Sequence, residues 1–458
     1  MGLSEEKLRE IFMVKGAPYK PYVFFVEKGG RRECLELASP PTPELEEVVE
    51  EIWANFVTKG EGLSEDLREV EEYVRKKKSL RNSNLLLSHI KHFIKRNLLG
   101  LGEIHSLMCH PSLEDISITP SGVVYVYHPD YGTMRTNIVA DKDRLIQKIA
   151  WKTGKTPSFT APLVRSTLPA GVRVNIALGR VSKTGSSIHF RRRSRLMSIV
   201  DLLKNGTLSP AIASLLWVLM SARKTMLIIG QPSSGKTTML NALLFLLPHE
   251  THIVTIESPA ELRLFHEQWE QLIPSDQLQS RTARPITYDD ILTFVLQSRP
   301  GYVVIGEIHQ GEMDLFTQLL SVPFLCSATL HAETPDNMVE RLTSNPMGGA
   351  SHLLKNIDVV VKMGARPRER IVRKIEGIFY RRGRQWRPVW EWSWTESDWV
   401  EAETEFPALH EALEYLEMDE TELERRERFL SSCPGGSDPR EDFDLIQSYF
   451  RGTGLRAG

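Results

Sequence analysis

Apolar residues in the second half of the chain gather into short continuous runs, and the stretches between them carry helical spacing. The runs at 225–230, 252–257, 302–307, 325–331 and 357–363 predict strands, and the segments following the first run to 247, at 288–298 and at 313–320 predict helices. Strands that stay apolar without alternation are buried on both faces, which calls for a mainly parallel sheet covered by helices. A sheet of that kind holds its ligand at the carboxyl ends of its strands.

The first half is mixed. A short aromatic strand, Tyr22-Val23-Phe24-Phe25-Val26, is followed by a Pro-rich link at 40–43 and by acidic helical runs from Glu44 and from Ser64. Between 80 and 195 the pattern gives a helix at 84–96, strands near 115–118 and 123–127, a helix at 142–153 and a strand-rich stretch at 173–190, an α+β order. After about Arg382, five of the nine tryptophans fall within 386–399 and a helical run at 420–430 follows, so a peripheral C-terminal subdomain with a tryptophan packing or partner surface is expected. The expected organisation is a cap at 1–79, an α+β domain at 80–195, a linker at 196–209, an α/β domain at 210–382 and the C-terminal subdomain at 383–458.

Composition narrows the class. A chain of 458 residues with 41% hydrophobic and 25% charged residues has the balance of a multidomain globular protein, which excludes disorder or a fibrous repeat as a description of the whole. Its net charge of −2 gives no reason to expect nucleic acid as the main partner, although Arg191-Arg192-Arg193-Ser194-Arg195 is locally basic. Cys34, Cys109, Cys326 and Cys433 form no CxxC pair, which argues against a zinc ribbon or a disulfide framework and for a reducing compartment. The acidic start of the chain leads into no apolar signal region, and the most apolar stretches, 211–220 and 239–247, are about half of what a transmembrane helix needs. A cytoplasmic location is expected.

The chemistry is carried first by Gly230-Gln231-Pro232-Ser233-Ser234-Gly235-Lys236-Thr237, which matches G-x-x-x-x-G-K-[ST] between a predicted strand and a predicted helix. Its backbone N–H groups would cradle phosphates, Lys236 would reach the β- and γ-oxygens, and the Thr237 hydroxyl, followed by Thr238, is placed to ligate Mg²⁺. Glu257 and Glu261 follow the second strand, and Glu307 ends the next, so carboxylates are available to hold Mg²⁺ through water or to orient an attacking water. His331 ends the following strand, where a γ-phosphate sensor would sit. No guanine-reading N-K-x-D motif lies downstream, which favours ATP.

Together these residues resemble the secretion ATPase superfamily, the motors of type II secretion, type IV pili and archaeal pilus and archaellum assembly, with the archaeal branch nearest. Residues 230–238 look like its Walker A, 256–261 its Asp box, Gly306-Glu307 its Walker B and Thr329-Leu330-His331 its His box. Resembling stretches upstream include His128-Pro129-Asp130-Tyr131-Gly132, 167–174 and 185–191. The resemblance implies a RecA-like motor domain under an N-terminal domain, nucleotide in the cleft between them, hexameric rings, and Arg173 and Arg191 completing the site. It further implies Glu261 as catalytic base and a polytopic membrane platform protein as partner, with the motor peripheral to the cytoplasmic membrane. The chain departs from the pattern at Ser258, where the Asp box has its aspartate, at His309 and Gln310 after Walker B, and at Val322-Pro323-Phe324 between the last two boxes. The expected function is therefore a MgATP-hydrolysing motor for filament assembly or secretion. A degenerate ATP-binding assembly component and a nucleic-acid translocase remain the alternatives.

Overall fold

The computed structural model describes residues 7–13, 22–28, 31–37, 96–97, 100–168, 171–192, 196–258, 260–274, 286–309, 311–321, 326–344, 351–368, 371–403, 406–434 and 438–453. The helices expected at 44–96 and the turn at 322–324 lie outside these residues, apart from the end of the first stretch. The chain divides into two compact units, 1–195 and 196–458.

The first unit is built on nine strands in the order β1-β2-β3-β6-β5-β4-β9-β8-β7. These are β1 (Lys7–Met13), β2 (Tyr22–Lys28), β3 (Arg31–Leu37), β4 (Asp115–Ile118), β5 (Val123–His128), β6 (Gly132–Val139), β7 (Leu163–Thr167), β8 (Arg173–Ala177) and β9 (Ser187–Arg191). β3 joins β6 in parallel, through Glu33 and Cys34, and so ties β1–β3 into the same sheet as the strands after 115. Helix α1 (Lys142–Thr153) is fixed at both ends by its sequence. The Asp141 carboxylate accepts from the N–H groups of Asp143 and Arg144, and Gly154 closes the helix at φ 67°. Leu145 and Ile149 face the core with Ile116, Val124, Val174 and Phe190.

The second unit has nine further strands in the order β12-β11-β13-β14-β10-β15-β16-β17-β18. Along the chain run α2 (Pro210–Ser221), β10 (Met226–Gly230), α3 (Lys236–Leu244), β11 (Ile253–Ile256), β12 (Trp269–Leu272), α4 (Tyr288–Ser298), β13 (Tyr302–Ile305), α5 (Met313–Leu319), β14 (Cys326–His331) and α6 (Pro335–Thr343). Then come β15 (Val359–Pro367), β16 (Ile371–Arg382), β17 (Gln385–Ser393), β18 (Asp398–Glu401), α7 (Pro407–Tyr415), α8 (Thr421–Ser432) and α9 (Pro439–Thr453). From β12 to β15 every pairing is parallel, and β10, β11 and β13 are buried at every position, as their unbroken apolar sequences demand. One core packs α2, α3 and α7–α9 on one face, and a second packs α4, α5 and α6 on the other.

The linker and the C-terminal boundary differ from their sequence reading, and β12 and α6 stand where no element was expected. Within 196–209 lies a helix, Ile199–Lys204, started by a capping box in which the Ser198 hydroxyl accepts from Asp201 N–H while the Asp201 carboxylate accepts from Ser198 N–H. The boundary expected after Arg382 falls in the turn between β16 and β17, hydrogen-bonded neighbours in the sheet. The tryptophans that follow are half-buried: Trp392 and Trp399 meet at 4.4 Å, and the Lys374 ammonium lies 4.3 Å from the Trp392 ring centre.

Candidate functional site: a P-loop between two strand ends

β10 ends at Gly230, a position with no room for a side chain. A Cβ there would lie 2.5 Å from the Met363 carbonyl oxygen and 2.6 Å from Ser234 Oγ. The chain then turns through Ser233 at φ 61° and Gly235 at φ 96° before α3 begins. No side chain caps α3, so its first N–H groups and the positive end of its dipole face the loop, the setting that suits a phosphate.

Lys236 is 6% exposed, and its Nζ donates to the Gln231 carbonyl oxygen at 3.1 Å and to His331 Nδ1 at 2.9 Å. Because Nδ1 accepts, the neutral ring carries its proton on Nε2, which faces Glu307 Oε1. Parallel pairing explains the meeting: β10 lies beside β14, β14 beside β13, and Gly230 is in register with His331. Burial pushes Lys236 down to about 8, with Glu307 and Glu261 acting the other way. Burial also lowers His331, and the Lys236 charge adds to the effect.

The two carboxylates after β11 have separate parts. Glu257 is 2% exposed and serves the backbone: its Oε2 accepts from the N–H groups of Glu261 and Leu262 at 2.6 and 2.8 Å, and its Oε1 accepts from Gln271 Nε2 at 2.8 Å. Glu261 is half-buried, and its field reaches Lys236. Asn241 of α3 bonds both the N–H and the carbonyl of Arg263, tying the Glu261 loop to the P-loop helix. Thr329 Oγ1 donates to the Gly306 carbonyl at 2.6 Å and steadies the turn into Glu307.

Lys236, His331 and Glu307 are thus brought into one chain of contacts, with Thr237 and Thr238 in the adjoining first turn of α3. Gln231, Pro232 and Ser233 are exposed on the loop, and Gln231 Nε2 donates to Glu333 Oε1 at 2.9 Å. Ser258 is exposed. His309 Nε2 lies 3.6 Å from Glu307 Oε2, so a cationic side chain at this position would have a carboxylate partner. In the first unit, Arg173 of β8 stands opposite Arg191 of β9, which stands opposite Asp115 of β4. Like charges in register are unfavourable in a sheet unless an anion compensates them, and the positive charge of Arg191 acts on Asp115 against a larger rise caused by burial.

Among the described residues, no group of three or more His, Cys, Asp or Glu could hold a metal alone. Mg²⁺ fits differently, since it keeps waters and phosphate oxygens and takes one or two protein oxygens, which the Thr237 hydroxyl and Glu307 carboxylate can provide. Sequence reasoning missed the anchoring work of Glu257, whose signal was the buried position at the end of an apolar strand, and the clamp made by Asn241, which carried no signal.

A parallel sheet in which one strand separates the P-loop strand from the carboxylate-bearing strand, with helices on both faces, defines a RecA-like P-loop protein. More particularly, residues 159–375 match the family described as Type II/IV secretion system protein. It is 29% identical over 294 residues to an uncharacterized protein of Methanocaldococcus jannaschii, covering 63% of this chain and 53% of that one. The chain therefore spans about half the length of that relative. A Type IV secretion system protein PtlH homolog of Bordetella bronchiseptica is 27% identical over 257 residues, 48% of this chain and 76% of its own. The solved ATPase DotB of Legionella pneumophila aligns at 15% identity and a TM-score of 0.43, covering 74% of this chain and 84% of its own.

Proposed function

We propose that this protein is an ATP-hydrolysing ring motor, a hexamer, that drives pilus-like filament assembly or protein secretion through a polytopic membrane partner, working at the cytoplasmic face of the membrane. The observation that carries this reading is the Lys236–His331–Glu307 chain at the mouth of the P-loop. Two of the three ammonium donors of Lys236 are engaged by Gln231 and His331, which leaves the third to meet a phosphate oxygen. Glu261, aligned by Glu257 and Asn241, takes a proton from the attacking water, and Glu307 with His331 orients the polar groups around the transferred phosphoryl. Mg²⁺, held by Thr237 and through water by Glu307, would neutralise charge on the β- and γ-oxygens. No helix among the described residues is long and apolar enough to cross a membrane, which fits attachment through a partner.

Steady-state phosphate release tests the proposal. The wild type should hydrolyse MgATP, Lys236→Ala should not, and circular dichroism should show both folded. Equal rates would sink the site. Strong stimulation by DNA or RNA with a steep salt dependence would favour a translocase instead.

A further inference from the structure

The two flanks of the P-loop are unlike. His331 and Glu307 lie on the β14 side. On the other side runs β15, whose Met363 carbonyl presses against Gly230, and beyond it β16. From β16, paired with Ala365 of β15, Arg373 extends to the loop and donates from Nε to the Ser233 carbonyl oxygen at 3.0 Å. Its Cδ lies 3.4 Å from the point where a Cβ on Gly235 would stand.

A loop that grips an anion through consecutive N–H groups must turn its carbonyls outward, where water satisfies them without fixing their direction and a protein donor both satisfies and fixes it. Ser233 has a left-handed backbone at φ 61°, so its carbonyl direction is not one that a serine adopts by default. We propose that Arg373 is a positioning residue of the nucleotide site. Its charged donor holds the Ser233 carbonyl on the outer side of the turn and thereby keeps the N–H groups of 233–236 aimed at the phosphates. The inference rests on the P-loop reading and adds a residue that comes from 140 positions further along the chain. It has a specific consequence. The turn surrounds phosphates that ADP and ATP share, so Arg373 acts on the binding of both alike and not on the hydrolytic step.

The test uses the full chain as wild type, Arg373→Ala and Arg373→Lys, with titrations of fluorescent MgADP and MgATP analogues, turnover at saturation and melting without nucleotide. Arg373→Ala should weaken both nucleotides by about tenfold, the factor associated with one such hydrogen bond. Saturated turnover should stay within about twofold and the melting temperature should hold, since a lost outer brace leaves the catalytic groups in place. Arg373→Lys, which keeps a charged donor, should recover most of the affinity. Unchanged affinity in Arg373→Ala overturns the inference, as does a loss confined to ATP, which would mark a γ-phosphate ligand. Wild type that binds neither nucleotide overturns the P-loop reading itself.

Discussion

The Nζ of Lys236 lies 2.9 Å from Nδ1 of His331, so the P-loop lysine is held, before any phosphate arrives, by a residue 95 positions away. With Nδ1 accepting from the lysine, Nε2 is the ring nitrogen that faces Glu307, and burial with the neighbouring ammonium lowers the proton affinity of His331.

This arrangement makes nucleotide affinity depend on pH in the alkaline range. Burial brings Lys236 down to about 8, while bound phosphate favours the charged ammonium, so binding raises that value and takes up a proton. Above about pH 7 the phosphates themselves have finished titrating. Affinity for MgADP should be flat there up to about pH 8 and then fall by up to tenfold per unit. Fluorescent-ADP titrations to about pH 9.5 check this; a flat profile would show that the lysine stays charged throughout.

Glu261→Gln should leave nucleotide binding intact and reduce hydrolysis by about 10² or more, the scale of a lost general base. Glu307→Gln should impair turnover too, and should also release the histidine restraint on Lys236. If the first variant turns over normally and the second is dead, the two roles are exchanged.

Asn241 is bonded to the Arg263 backbone and has no role in holding phosphate, yet Asn241→Leu should lower turnover. Its amide spans the N–H and carbonyl of Arg263 at 2.7 and 3.1 Å and so sets the distance between α3 and the loop bearing Glu261. Single-turnover kinetics should show slow hydrolysis with unchanged MgADP affinity. A variant with wild-type hydrolysis would mean that the loop is positioned by Glu257 alone.

A stability prediction concerns α8 and α9. Glu422 Oε1 accepts from Arg426 Nε at 2.9 Å and from Tyr449 Oη at 2.8 Å, and the 1% exposed Arg426 lies over Trp217 of α2. Burial and the Glu422 carboxylate push Tyr449 up to about 12. Glu422→Ala strands a buried guanidinium and should cost about 3–5 kcal/mol in urea unfolding. Glu422→Leu combined with Arg426→Met removes both charges and should cost less. Equal losses would refute the pairing argument.

Apart from β12 and α6, which the sequence reading did not foresee, the strand and helix order of 225–363 was legible because continuous apolar runs and capped amphipathic stretches are local signals. So was the loop at 230–237, whose glycines the backbone angles require. What stayed hidden depends on register across strands. Glu257 and Glu261 look equivalent in sequence, and only the turn after β11 sends one inward to the backbone and leaves the other half-exposed. Arg373 sits among several arginines, and nothing in 366–374 marks the one that faces the loop. The tryptophans of 386–399 suggested a separate subdomain because aromatic clustering does not reveal which sheet the strands extend.

The nine-stranded sheet of the second unit closes with β12 at one border and β18 at the other, each four residues long and carrying Glu270 at one and Asp398 and Glu401 at the other. Short, acidic borders offer a poor template for adding another strand. Copies of this unit are therefore poorly suited to extend its sheet into one another's through shared backbone ladders at either of these two borders.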